Sequence, residues 1–241
     1  MSGHSKWATI HRKKGLIDAK RGQIFQKLAK EISIVARGTN GKIEENPNLR
    51  MIVEKAKAAN MPKENINKAI EKAIGGEDTT QYYDITYEGY SSGGVSLMVE
   101  CLTDNKNRTA SFVRSTFTKY GGNLGTSGSV SYMFKRKGLI VISKDLLDED
   151  TALMVALNNK ALDVKTEDDY YIIYTEPEDF LACKEAFTLE GVKDFLESEV
   201  TFIPDNYLKL EGSDLEKTND LIETLESLDD VQNVYHNLEE E

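Results

Sequence analysis

The chain has 241 residues, 39% hydrophobic and 8% aromatic, with four prolines; this is the composition of an ordinary globular protein and it excludes wholesale disorder. No apolar run approaches the ~20 residues needed to cross a bilayer, and Cys101 and Cys183 are too few to staple secreted domains, so no membrane, no export and a reducing cytoplasm are expected. The formal charge of −11 is segregated: residues 1–74 hold 16 Lys/Arg against 7 Asp/Glu, whereas residues 75–241 hold 14 against 34.

Residues 1–16 are basic, polar and short of periodic apolar residues, ending in Arg12-Lys13-Lys14-Gly15, which predicts a flexible arm that orders on binding. From Asp18 to about Arg37, Ile24, Leu28, Ile32 and Val35 recur at helical spacing, widened by Phe25, Ala29 and Ala36, and Gly38 ends the helix. At about 100° per residue, Lys20, Lys27, Lys30 and Arg37 gather on a separate arc. A second helix opens at Asn46-Pro47 and runs through Leu49, Ile52, Val53 and Ala56. A third opens at Met61-Pro62, runs through Ile66, Ala69, Ile70 and Ala73, and stops at Gly75-Gly76, so a small three-helix bundle is expected.

Beyond Tyr82 the pattern turns to short strands and helices: strands at Tyr82 to Tyr87 and Val95 to Leu102, a helix from about Asn107 to Lys119, and a strand at Val130 to Phe134. Then come a strand at Leu139 to Ile142, a helix near Leu147 to Asn158, a weak strand near Leu162 to Lys165, and a strand at Tyr170 to Tyr174. A helix near Glu178 to Glu190 and a strand at Val200 to Ile203 complete a β-α-β-β-α-β unit. The tail adds a helix, about Leu215 to Leu228, and a strand, Val231 to Tyr235, which lack a sheet of their own. The expected class is therefore α+β: an N-terminal three-helix bundle (1–76), a middle α+β domain (77–135 plus 205–241), and an acidic α+β, ferredoxin-like domain inserted in it (136–204).

The leading candidate site is basic. Lys6, Arg12, Lys13 and Lys14 of the arm, with Lys20, Arg21, Lys27, Lys30 and Arg37 of the first helix, place many cations within reach of successive phosphates, and Trp7 and His11 add stacking surfaces. Any one of these lysines alone reads as a solvated helix face; the cluster, inside an acidic chain, points to nucleic acid. A candidate anion site is Asn105, Asn107, Arg108 and Arg114 at the opening of a helix, against the plainer reading of an N-cap with a solvent-facing arginine. Gly121 to Gly128 lacks Walker spacing and follows a helix instead of a strand, so it reads as a helix cap and flexible turn. His4, His11 and His236 have no partners at metal-ligand spacing, and the clusters Asp148-Glu149-Asp150 and Glu167-Asp168-Asp169 lack the pattern of a calcium loop. No catalytic residue, metal or cofactor is therefore expected.

Several motifs together resemble the YebC family almost end to end: Gly3-His4-Ser5-Lys6-Trp7, Asn60-Met61-Pro62-Lys63, Tyr87-Glu88-Gly89-Tyr90, Thr103-Asp104-Asn105 with Asn107-Arg108-Thr109, Gly121-Gly122-Asn123-Leu124-Gly125, Gly128-Ser129-Val130 and Asp230-Val231-Gln232-Asn233-Val234-Tyr235. The resemblance implies a helical bundle and two α+β domains, one interrupting the other. It also implies a DNA-binding transcriptional regulator or, as in the similar mitochondrial translational activator of cytochrome c oxidase, a factor acting on the ribosome or its RNA, a role that in bacterial relatives is linked to relieving stalled synthesis. Ser91-Ser92 stands where the family commonly has Gly-Pro, and Asn158-Asn159-Lys160-Ala161 replaces a small glycine-containing segment.

The sequence thus favours a cytoplasmic, non-enzymatic regulator of gene expression that binds DNA, or ribosomal RNA and the ribosome, through residues 1–74. Two readings from other classes compete with it. One is an interaction module whose acidic domains take a basic protein partner; the other is a hydrolase or transferase around Asn105 and Arg108, for which no nucleophile-base pair is present.

Overall fold

In the computed structural model the described residues are 4–37, 41–76 and 80–239, with side chains described from residue 21 onward. They form two compact units, one centred on Met133–Asp205 and the other on His11–Tyr132 with Asn206–Glu239.

The larger unit holds α1 (His4–Arg37) from His11 onward, α2 (Pro47–Ala58) and α3 (Lys63–Ile74). Helix α1 is 34 residues long and starts well before Asp18, so the stretch read as an arm up to residue 16 has helical backbone instead. Lysine, arginine and alanine are good helix formers, and extending an existing helix adds a hydrogen bond per residue without a new nucleus, so the lack of an apolar stripe did not stop it. Asn46 caps α2 by accepting the Leu49 N–H at 3.1 Å, with Pro47 following as the first helical residue. Leu28, Ile32 and Ala36 of α1 meet Leu49, Val53 and Ala56 of α2 and Ile66, Ala69, Ile70 and Ala73 of α3 in one buried cluster.

The same unit carries a four-stranded antiparallel sheet of β1 (Tyr83–Tyr90), β2 (Ser96–Thr103), β3 (Asn123–Leu124) and β8 (Val231–His236), in the order β3-β1-β2-β8. Helices α4 (Lys106–Lys119) and α7 (Gly212–Ser227) cover one face. Val113 and Phe117 of α4 pack with Leu221, Ile222 and Leu225 of α7 over Leu97, Val99, Cys101, Val231 and Val234. The two-residue strand β3, which lies inside the glycine-rich turn and was not expected, closes on β1 because two glycines permit it. A Cβ on Gly89 would come within 2.6 Å of the Asn123 carbonyl, and one on Gly122 within 2.6 Å of the Tyr90 carbonyl.

The smaller unit is a β-α-β-β-α-β fold: β4 (Phe134–Ser143), α5 (Glu149–Asn158), β5 (Ala161–Thr166), β6 (Tyr170–Thr175), α6 (Phe180–Leu189) and β7 (Glu197–Pro204). Its sheet is antiparallel in the order β5-β6-β4-β7, the ferredoxin-like arrangement. Alternate residues of β4 and β6 line opposite faces. Ile140, Ile142, Tyr171 and Ile173 pack against α5 and α6, and Leu139, Val141, Tyr170, Ile172 and Tyr174 form a second buried cluster behind them. Both faces are apolar, which is why β4 and β6 read as continuous hydrophobic runs.

The strand expected at Val130 to Phe134 does not exist as such: Ser131–Met133 is a single 3-10 turn, and Phe134 begins the ten-residue β4 that continues through Leu139 to Ile142. Glu88 is the reason. Its buried carboxylate accepts the N–H groups of Gly128 (2.8 Å), Val130 (2.7 Å) and Ser131 (2.8 Å), taking donors that a strand would have given to a neighbour.

Candidate nucleic-acid interface

The periodicity of α1 sends Leu28 and Ile32 into the bundle and leaves Lys27, Lys30 and Arg37 on another face, as the helical spacing requires. That face does not look into solvent. Lys27 Nζ donates to the Glu226 carbonyl at 2.7 Å, Lys30 Nζ donates to the Leu102 carbonyl and lies 3.4 Å from Asp230 Oδ1, and Arg37 Nη1 donates to the Thr80 carbonyl at 2.7 Å. Lys30 and Arg37 also flank the Tyr82 ring, at 5.0 and 5.9 Å from its centroid. Glu226 lies in the last turn of α7, where carbonyls lack helical partners and the dipole end is negative, so an ammonium group is the natural cap. From α2, Lys55 Nζ donates to Asn233 Oδ1 at 3.3 Å, and Asn233 Nδ2 and the Tyr235 hydroxyl both donate to Glu100 Oε2 at 3.0 and 2.9 Å. Three cations read from the sequence as phosphate ligands therefore fasten the bundle to the end of α7, to β2 and to the segment ahead of β1.

Arg21 is exposed and its guanidinium stands 5.8 Å from the Phe25 ring centroid. The side chains of Lys6, Trp7, His11, Arg12, Lys13, Lys14 and Lys20 lie outside the described residues; their backbone is the front half of α1. Between His4 and Arg21 that helix carries six Lys/Arg against one acid, Asp18. On α3, Lys63, Lys68 and Lys72 are exposed.

The second candidate resolves into two parts. Asn105 caps α4 by accepting the Arg108 N–H at 3.1 Å, and Arg108 pairs with Asp104 at 2.8 Å and with Asp230 at 2.7 Å through Nη2 and 3.2 Å through Nε. Thr109 Oγ1 sits 2.8 Å from the same Asp230 oxygen. Burial pushes the Asp230 carboxyl up, but Arg108, Thr109 and Lys30 outweigh it and hold the group below its usual range. The anion at this helix start is thus a side chain of the protein itself. Asn107 and Arg114 are exposed farther out on α4 and do not join it.

At the end of the glycine-rich turn the anion is again a side chain of the protein, because the N–H groups of Gly128, Val130 and Ser131 donate to Glu88. Burial opposes ionisation there too, and the three backbone donors prevail to keep that carboxyl below its usual range. Neither Glu88 nor Asp230 could be singled out from spacing, although both lie within motifs of the family resemblance. A cleft of about 440 Å³ opens beside Arg108 and Thr109, bordered by Phe112, Ser227, Leu228, Asp229 and Asp230. Among the described residues no group of three His, Cys, Asp or Glu is placed to hold a metal ion, and no helix is long and apolar enough to cross a membrane.

Residues 5–76 match the TACO1/YebC protein N-terminal domain, and residues 82–238 match the TACO1/YebC second and third domain. The chain belongs to the TACO1/YebC family. It is 53% identical over 242 residues to a probable transcriptional regulatory protein of Geobacillus kaustophilus, covering 100% of this chain and 98% of that one. It is 50% identical to the protein of the same description in Borreliella burgdorferi, covering 99% and 98%. A conserved hypothetical protein of Aquifex aeolicus, known from its crystal structure, matches with a TM-score of 0.80 and 43% identity over 93% of each chain. The family and the α+β class expected from the motifs both stand.

Proposed function

We propose that this protein is a cytoplasmic regulator of gene expression that binds nucleic acid through the front half of α1 and catalyses no reaction of its own. The observation that carries this reading is the division of labour along one helix. Lys27, Lys30 and Arg37 bind groups beyond the bundle, at Glu226, Asp230 and Thr80, yet the helix continues toward its N-terminus with six further Lys/Arg and one acid, a density that internal pairing in an acidic chain does not require. The description of the relatives as probable transcriptional regulatory proteins supports the regulatory role. DNA, as that description suggests, and ribosomal RNA are both polyanions that such a helix would grip by phosphate contact and counterion release.

The test is fluorescence anisotropy of the intact chain with labelled duplex DNA and structured RNA across a salt series. Charge reversal of Arg12, Lys13 and Lys14 to Glu is expected to weaken binding to both and to flatten the plot of log affinity against log salt by about 0.7–0.9 for each phosphate no longer neutralised. Unchanged affinity and slope in that variant would remove the reading.

A further inference from the structure

Residues 75–241 hold 14 Lys/Arg against 34 acids, yet four of those cations, Lys106, Arg108, Arg114 and Lys119, fall on α4, which contains no acid at all. Beside it α7 carries Asp214, Glu216, Asp220, Glu223 and Glu226 against Lys217 alone. The two helices share one face of the sheet; Arg108 is paired with Asp104 and Asp230, so the ridge beside the acids of α7 is basic through Arg114 and through Lys106 and Lys119, which lie over the Tyr83 and Tyr120 rings.

The outer surface of α4 is built in two rows. Thr109, Val113, Thr116 and Phe117 are buried; at about 100° per residue Asn107, Ser111, Arg114 and Thr118 form the opposite stripe, flanked by Arg108, Phe112 and Lys119. Arg114 makes no ion pair among the described residues. Phe112 is 51% exposed and borders the cleft, whose other lining residues are Arg108, Thr109, Ser227, Leu228, Asp229 and Asp230. Two hydroxyl protons on this surface are committed within the helix: Ser115 Oγ, on the flank, donates to the Phe112 carbonyl at 2.9 Å, and Thr118 Oγ1, on the stripe, to the Arg114 carbonyl at 3.0 Å. Their oxygens are left as acceptors, which suit a ribose 2′-OH and do not suit a phosphate.

We infer that the outer face of α4 is a second nucleic-acid contact, specific for single-stranded RNA: Arg114 and Lys119 engage successive phosphates, Ser115 and Thr118 accept from 2′-hydroxyls, and an unpaired base stacks on Phe112 at the mouth of the cleft. A paired base has no face to offer Phe112, so a duplex gains only the phosphate contacts. The acids of α7 repel the backbone and confine the strand to the α4 side. This inference rests on the nucleic-acid reading given above and adds a site, a strand state and a sugar to it.

The experiment uses the full chain with a labelled 12-nucleotide single-stranded RNA of mixed sequence, the DNA of the same sequence, and the corresponding RNA duplex. Phe112→Ala is expected to weaken single-stranded RNA by about 5- to 160-fold, the range for losing one base-aromatic stack, and to leave the duplex within twofold. Arg114→Glu with Lys119→Glu is expected to lower the salt slope for single-stranded RNA by about 1.4. Both changes are at exposed positions, so thermal unfolding should match the parent. If Phe112→Ala leaves single-stranded RNA within twofold, or weakens strand and duplex equally, the site is refuted. If the parent binds the DNA strand as tightly as the RNA strand, the ribose contact is refuted. Should charge reversal of Arg12, Lys13 and Lys14 abolish binding while the α4 variants bind as the parent does, the proposed function survives and this inference fails; an intact chain that binds none of the probes sinks both.

Discussion

Replacing Asp230 by Asn removes one charge and almost no volume from the place where the bundle, α4 and the end of α7 converge. The Asp230 side chain is 12% exposed and faces three donors: Arg108 at 2.7 and 3.2 Å, the Thr109 hydroxyl at 2.8 Å and Lys30 at 3.4 Å. A hydrogen bond to a charged partner nets about 1.5–3 kcal/mol, and a half-buried cation left without its counterion costs more than an exposed one. Arg108 is 41% exposed and keeps Asp104, so its share lies at the low end, whereas Lys30, with 19% of its side chain exposed, keeps the Leu102 carbonyl and the Tyr82 ring but no carboxylate. The expected loss is about 2–3 kcal/mol at neutral pH, read as a lower urea midpoint with an unchanged slope. The folded-state carboxyl titrates below its ordinary value of 3.8, so the folded protein holds fewer protons than the unfolded one. Its contribution is complete above that ordinary value and is lost as pH falls through the lower folded one, and the gap between parent and variant must close over that interval. A double-mutant cycle with Arg108→Met should return a coupling of about 1 kcal/mol or more. Equal midpoints at pH 7, or a gap that widens toward pH 3, would refute the account of Asp230 as the shared counterion.

Glu88→Gln should destabilise the larger unit by about 2–4 kcal/mol, with faster amide exchange at Gly128, Val130 and Ser131 than elsewhere; uniform exchange would contradict the loop-clamp role. Gly122→Ala should cost about 1–3 kcal/mol, because its Cβ would meet the Tyr90 carbonyl at 2.6 Å; a variant as stable as the parent in urea would show that β3 can shift at no cost. Burial pushes the thiols of Cys101 and Cys183 up to about 12 and about 11, so both should resist a thiolate-directed reagent at pH 8 until urea unfolds the chain; rapid labelling of either in the folded protein would contradict their burial.

Much of the fold was legible in the sequence because its signals are local. Asn46-Pro47 starts α2 and Asn105 starts α4, since a capping side chain bonds a backbone N–H three residues away. The unbroken apolar runs of β4 and β6 announced strands covered on both faces. The weak strand near Leu162 is real, as β5, because its partner β6 supplies the pairing that its own residues only hint at. The start of α1 was not legible, since a helix can propagate through Lys13 and Lys14 without an apolar stripe to mark it.

The sequence by itself determined the segregation of charge, the spacing that sets Lys27, Lys30 and Arg37 on one arc, and the motifs that mark the family. Only the tertiary structure decided what those cations meet, because Lys27 bonds a carbonyl 199 residues away and Lys30 a carboxylate 200 residues away, and no local pattern encodes such a pairing. The start of α4, a candidate anion site in the sequence, holds Asp230 through Arg108 and Thr109, and the backbone after the glycine-rich turn is held by Glu88. A backbone N–H, as at Val130, or a guanidinium, as at Arg108, presents the same donor to a bound anion and to a carboxylate folded in from elsewhere in the chain, and only the folded arrangement tells which one it receives.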